Sequence, residues 1–170
     1  MKCMIREWKI EDALSLAETL NNKNILNNLR DGLPFPYTES DAKDYITSIL
    51  SGDKTKTFGF AITVDDKIAG SISIVRCDNI HFRTAEMGYY ISESYWGKGI
   101  GTWAVKKVCK DIFENTDIIR IFAEPFAYNQ ASCRVLEKAG FQFEGILRSN
   151  AIKNGKVLDM RMYSCIKEVD

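Results

Sequence analysis

The stretch Ile91-Ser92-Glu93-Ser94-Tyr95-Trp96-Gly97-Lys98-Gly99-Ile100-Gly101-Thr102 decides the reading, because it sets glycines at every second position between two segments of different period. Before it, Thr84 to Ile91 alternates like a strand, with Ala85, Met87, Tyr89 and Ile91 on one face and Glu86, Gly88 and Tyr90 on the other. After it, Ile100, Trp103, Ala104, Val108, Ile112 and Phe113 recur on one side of a helix. A helix N-terminus attracts anions through its unpaired N–H groups and the positive end of its dipole. Glycine lets a phosphate approach the backbone with no Cβ in the way, and Lys98 adds a positive charge beside it. Gly97, Lys98, Gly99, Ile100, Gly101 and Thr102 are therefore the candidate cradle for a phosphate or pyrophosphate.

Two familiar phosphate motifs fit this stretch poorly. A Walker A loop needs GxxxxGK followed by Ser or Thr, a string this chain does not contain. A dinucleotide fingerprint needs a third glycine where Thr102 stands. Asp117 lies at the fingerprint's usual distance from Gly97, but it precedes its strand where the ribose-binding acid should follow one.

Working outward, Cys3 to Trp8 reads as a first strand, and Ala13, Leu16, Ala17 and Leu20 mark a helix that Asn21-Asn22 can end. A short helical stretch is expected over Ile25 to Leu29, and a loop over Arg30 to Tyr37, which holds Pro34 and Pro36. Thr38 with Asp41 three residues on forms a capping pair for a helix whose apolar face is Ala42, Tyr45, Ile46, Ile49 and Leu50, stopping at Gly52. Thr57 to Val64 and Lys67 to Val75 flank Asp65-Asp66 as a hairpin. Ile118 to Ala123 is a dense apolar strand, and Gln130 to Ala139 a helix closed by Gly140. Phe141 to Ile152 and Val157 to Ile166 flank Asn154-Gly155, a strong hairpin signal.

A chain of 170 residues makes about one domain, here taken as 1–170, and can bury a core without metal or disulfide support. Lys+Arg and Asp+Glu both number 23, a balance that argues against a nucleic-acid groove or a polybasic membrane patch. The one histidine, His81, reads as a surface residue, and the five cysteines form no CxxC pair, so no metal set is expected. The cysteines read as buried thiols of a reducing cytoplasm. No apolar run reaches the length of a membrane span.

The order strand, Gly97-Lys98-Gly99-Ile100-Gly101, helix, strand, then Asn129-Gln130-Ala131-Ser132 and Leu136-Glu137-Lys138-Ala139-Gly140-Phe141, resembles the GNAT superfamily of N-acetyltransferases. Within it, the chain is similar to the RimJ/RimL-like branch of ribosomal-protein N-terminal acetyltransferases, which often carries Tyr-Trp-Gly where Tyr95-Trp96-Gly97 stands here. The resemblance implies an α+β fold: a mixed, mostly antiparallel twisted sheet of about seven strands, flanked by helices, with splayed central strands. It implies acetyl-CoA as co-substrate, held by Gly97 to Thr102. The pantetheine arm would pair with backbone groups of Ile91, whose N–H would meet the thioester carbonyl. Asn129 would bond the arm, and Ser132 would stand at the sulfur as donor.

The implied reaction is direct acetyl transfer to a primary amine, a protein N-terminus or a small molecule, in a ternary complex. It needs a neutral amine, an oxyanion donor and a proton for the thiolate. Glu86 is the candidate base, working through water, with Glu124 as its rival and Tyr128 as a second acid beside Ser132. Arg134 and Lys138 are candidates for the adenosine 3′-phosphate. The proline loop Arg30 to Tyr37, with Phe35 and Tyr37, would overhang the acceptor cleft and set specificity, a plain connector being the alternative. Arg148 to Lys153 lacks the carboxylate that some members of the branch carry on the strand before the last hairpin, which weakens an assignment to ribosomal-protein acetylation. A catalytically weak acetyl-CoA sensor is the alternative function, and the oligomeric state, a homodimer included, is open.

Overall fold

The computed structural model describes residues 1–168. The single domain expected over 1–170 thus ends in two residues, Val169 and Asp170, that lie outside those described. Seven strands, β1 (Cys3–Arg6), β2 (Thr57–Val64), β3 (Lys67–Arg76), β4 (Thr84–Ile91), β5 (Arg120–Ala123), β6 (Gln142–Lys153) and β7 (Lys156–Ile166), form one mixed sheet in the order β1-β2-β3-β4-β5-β7-β6. The helices are α1 (Ala13–Leu20), α2 (Lys23–Leu26), α3 (Glu39–Ser51), α4 (Ile100–Asn115) and α5 (Gln130–Lys138). This is the α+β architecture expected. Among the described residues no helix is long and apolar enough to cross a membrane.

The chain divides into two compact units. The first comprises Met1–Ile74 and Gly88–Ile100. Its core gathers Trp8, Leu16, Leu20, Ile25, Tyr37 and Ile46, so α1 and α3 bury the apolar stripes that their sequences present. Helix α3 carries the expected capping box, in which Thr38 Oγ1 accepts from the Asp41 amide at 3.1 Å and Asp41 Oδ2 accepts from the Thr38 amide at 2.8 Å. The β2–β3 hairpin turns on Asp65 (φ 47°) and Asp66 (φ 64°), both left-handed as a type I′ turn requires. Lys2 holds that turn, its amide donating to Asp65 Oδ1 at 2.8 Å and its carbonyl accepting from the Asp65 amide at 2.9 Å.

The second unit comprises Val75–Met87 and the chain from Gly101 onward. Val105, Val108, Ile118, Ile121, Leu136 and Tyr163 are its largest fully buried side chains. Strand β5 pairs with β4 in parallel through Thr84↔Arg120, Ala85↔Ile121 and Glu86↔Phe122, and with β7 antiparallel along its whole length. The ladder between these two central strands therefore ends at Glu86, while β4 runs on to Ile91. Strands β6 and β7 form the hairpin that Asn154 (φ 51°) and Gly155 (φ 73°) predict, with register shifts after Phe143 and after Leu147.

Boundaries moved where tertiary contacts outweigh local pattern. The first strand stops at Arg6, because the Arg6 guanidinium turns to the Asp12 carboxylate and Trp8 enters the core. Helix α2 starts two residues earlier than expected, at Lys23, because Asn22 Oδ1 caps it by accepting from the Asn24 amide. The cysteines correct the expectation of burial: all five are free, Cys109 and Cys133 are buried, and Cys3, Cys77 and Cys165 are half-buried. His81 is exposed, in a 3-10 turn before β4.

Candidate active site

In the first unit, the end of β4 lies close against β3. A Cβ at Gly70 would stand 2.2 Å from the Tyr90 carbonyl oxygen, so only glycine allows this approach. The Ser92 amide donates to the Ala69 carbonyl at 2.7 Å. Beyond Ile91 the chain makes a 3-10 turn over Glu93–Tyr95, and the Trp96 indole N–H then reaches back to the Ile91 carbonyl at 2.7 Å. The Ile91 carbonyl thus accepts from the protein's own indole.

Gly97 (φ 73°) and Gly99 (φ 77°) lie in the left-handed region, with nothing within 4 Å of where a Cβ would be. Backbone conformation, and not crowding by protein, is what requires glycine here. Lys98 does not hang freely beside the turn: its ammonium donates to the Ser94 carbonyl at 2.9 Å and sits 5.2 Å from the centre of the Tyr95 ring. Ile100 is buried and opens α4, whose first turn has no acidic residue. An anion at this turn would thus meet no carboxylate from the helix it caps.

Also in the first unit, three tyrosines crowd the β3–β4 sheet. Tyr45 of α3 and Tyr90 of β4 both hydrogen-bond Ser71, and burial pushes their phenols upward while that bond pulls the other way. Burial pushes Tyr37 up to about 12, helped by the charges of Tyr45, Asp41 and Asp44. These phenols stay protonated at neutral pH, so they act there as hydrogen-bonding walls. The proline loop exposes Phe35 and buries Tyr37, so of the two aromatic residues expected over the cleft, only Phe35 faces solvent.

In the second unit, Gly101 and Thr102 continue the start of α4. Asn129 is the N-cap of α5, its Oδ1 accepting from the Ser132 amide at 3.2 Å, which brings these two predicted residues together. Glu86 sits on β4 in register with Phe122 and half-buried. Cys77 is near enough for the Glu86 charge to add to burial in raising its thiol. Glu124 is half-buried where β5 ends, and Tyr128 stacks on Phe126 with ring centres 5.5 Å apart. Arg134 and Lys138 are exposed on α5.

Three contacts of these two units escaped the sequence, and so did the bond made by Tyr163, itself read as core or cleft wall. Trp96 and Gly70 act through contacts with residues that only the fold brings near. Tyr163 is wholly buried, donates to Glu137 Oε1 at 2.9 Å, and is pushed up to about 12, by burial above all. Asp159 of β7 stands opposite the Arg148–Asn150 irregularity of β6 and accepts the Ser149 amide at 2.7 Å. A carboxylate does therefore sit against the segment that has none of its own. No sequence signal could have paired them, because the bulge sets that register.

Residues 2–142 match the acetyltransferase (GNAT) domain family. Over 137 residues the chain is 34% identical to a probable N-acetyltransferase, YjcK of Bacillus subtilis, covering 79% of this chain and 76% of the relative. Over 170 residues it is 31% identical to the putative ribosomal N-acetyltransferase YdaF of the same species, covering 96% and 90%. Among solved structures it is similar to the microcin C7 self-immunity acetyltransferase MccE in complex with acetyl-CoA and AMP, with a TM-score of 0.85, 26% identity, and 98% and 93% of the two chains covered. A left-handed glycine turn opening α4, a ladder between central strands that ends early, and a family match over most of its length lead to one conclusion: this chain belongs to the GNAT family and is an N-acetyltransferase.

Proposed function

We propose that the chain works as a single acetyltransferase domain in the cytoplasm, moving the acetyl group of acetyl-CoA to a primary amine by direct attack in a ternary complex. The observation that carries this reading is the turn at Gly97 and Gly99, whose left-handed glycines open α4 without side chains that could fold over its first amides. In this reading the amides of Gly97, Lys98, Gly99, Ile100, Gly101 and Thr102 take the pyrophosphate. The N–H of Ile91 donates to the thioester carbonyl as its oxygen gains charge. Asn129 bonds the pantetheine arm.

The amine nitrogen forms the new N–C bond as the C–S bond breaks. Its surplus proton leaves through water to Glu86, and the Ser132 hydroxyl donates a hydrogen bond to the departing thiolate, which takes its proton from solvent. The similarity to YdaF, named for the ribosome, supports a protein N-terminus as the acceptor class to test before small amines.

The test joins acetyl-CoA titration calorimetry with free-thiol release in the presence of N-terminal peptides and, separately, small amines. Glu86→Gln is expected to lower kcat by about 100-fold or more, the usual contribution of a positioned base. Its acetyl-CoA affinity should stay within about twofold of wild type. An unaltered pH–rate profile in that variant would remove Glu86 as base, and acetyl-CoA binding without thiol release across all acceptors would favour the sensor.

A further inference from the structure

We infer that Glu93 is a positioning residue that ties the glycine turn to the proline loop, Arg30 to Tyr37, through the asparagine-rich segment 21–24. The inference rests on the proposed function, because it needs acetyl-CoA at the glycine turn. Both carboxylate oxygens of Glu93 are taken by amides of the same short element: Asn22 Nδ2 donates to Oε2 at 2.5 Å, and Asn24 Nδ2 donates to Oε1 at 3.0 Å. Asn22 simultaneously caps α2 through its Oδ1. Its neighbour Asn21 grips the end of the proline loop on both sides, its Oδ1 accepting from the Tyr37 amide at 2.7 Å and its Nδ2 donating to the Tyr37 carbonyl at 2.5 Å. Three asparagines in four positions thus use their side chains to hold distant backbone or carboxylate.

Glu93 itself belongs to the turn that precedes the glycines. The Trp96 amide donates to the Glu93 carbonyl at 3.1 Å, and Lys98 closes the same turn onto Ser94. A pyrophosphate on Gly97 to Thr102 would hold this turn still, and so hold the Glu93 carboxylate where Asn22 and Asn24 meet it. A ligand that orders one end of such a chain of contacts lowers the cost of ordering the other end, and the coupling is reciprocal. Bonds to an ionised carboxylate are stronger than neutral ones, yet an exposed pair adds little to global stability. The consequence of Glu93 is therefore local: acetyl-CoA stiffens the segment from Asn21 to Tyr37, whose proline loop would overhang the acceptor.

Hydrogen exchange on the full-length protein, with and without acetyl-CoA, tests this, with calorimetry giving the affinity of the same samples. In wild type, acetyl-CoA should slow exchange at Asn24 to Leu26 and at Tyr37 by about fivefold or more, the low end of usual coupling factors. Glu93→Ala should lose that slowing and, because the coupling is reciprocal, bind acetyl-CoA more weakly by no more than about that same factor, and Glu93→Gln, which keeps one acceptor oxygen, should recover part of both. Asn24→Ala cuts the tether from its other side and should behave as Glu93→Ala does. Acetyl-CoA binding that leaves segment 21–37 unchanged in wild type, or slows it equally in Glu93→Ala, overturns the inference alone. A loss of acetyl-CoA affinity in Glu93→Ala well beyond the factor by which exchange is slowed overturns it too, because the residue would then be building the turn itself. A wild-type protein that binds no acetyl-CoA overturns the proposed function and the inference with it.

Discussion

Helix α3 closes its first turn with its own residues, whereas helix α4 is led in by glycines that have no side chain to do so. At α3, Thr38 and Asp41 exchange hydrogen bonds, and Glu39 and Asp41 put negative charge against the positive dipole end. At α4, residues 97 and 99 are left-handed glycines, the first turn has no acid, and the nearby Lys98 ammonium is committed to the Ser94 carbonyl. The start of α1 directs its acid elsewhere: Asp12 receives the Arg6 guanidinium on both oxygens at 2.8 Å and the Lys9 amide at 2.9 Å, and its side chain caps none of the amides of α1 itself. The lesson is that a helix start can contribute stability or can be kept for a ligand, and the residues around it tell which.

The sharpest way to break this contrast is Gly99→Glu. A glutamate there combines about 1–3 kcal/mol of backbone strain with a carboxylate aimed at the proposed phosphate. Acetyl-CoA affinity should fall at least about 100-fold, so that the thermal stabilisation which ligand gives wild type, about 2.7 kcal/mol at a concentration of 100 Kd, drops to about 0.4 kcal/mol or less. Gly155→Ala is the control: its φ of 73° equals that of Gly97, so it carries comparable strain at a hairpin tip, and ligand stabilisation should survive. Equal loss in both would show that strain, not phosphate, explains the Gly99 result.

Next in size is Asp12→Asn, expected to cost about 2 kcal/mol at neutral pH because it leaves Arg6 half-paired in a partly buried site. Burial pushes the Asp12 carboxyl upward, but the bonds from Arg6 and the Lys9 amide outweigh it and hold the group below the 3.8 of an unperturbed aspartate. A depressed folded value means the stabilisation is complete above about pH 4 and is lost as pH falls through the lowered value. Chemical denaturation of both proteins from pH 7 to pH 2 should therefore show the gap narrowing only below about pH 4. A gap that is constant across that range would assign the loss to packing instead. Smallest is Thr38→Ala, which removes one cap and should cost about 1 kcal/mol, or roughly 2–4 °C in Tm, with acetyl-CoA binding untouched.

Where a signal lies within a few neighbouring residues, it was legible in the sequence. The α3 capping box, the turns at Asp65-Asp66 and Asn154-Gly155, and the alternation of β4 all involve partners close along the chain, and all stand as read. The candidate site was legible to the same degree: the glycine turn and the Asn129 cap on Ser132 are local. The environment of Ile91 was not, because Trp96 could be recognised as its carbonyl's partner only once the 3-10 turn over Glu93–Tyr95 had folded the indole back.

By itself, then, the sequence determined the element types, the turn chemistry and the position of the glycine turn proposed to bind an anion, since each follows from backbone preferences a few residues wide. Tertiary structure alone decided that β4 leaves β5 after Glu86, that Asp159 faces the bulge in β6, and that Glu93 meets Asn22 and Asn24 from 71 and 69 residues away. Such pairings depend on strand register and on where packed elements come to rest, quantities that no short stretch of chain encodes.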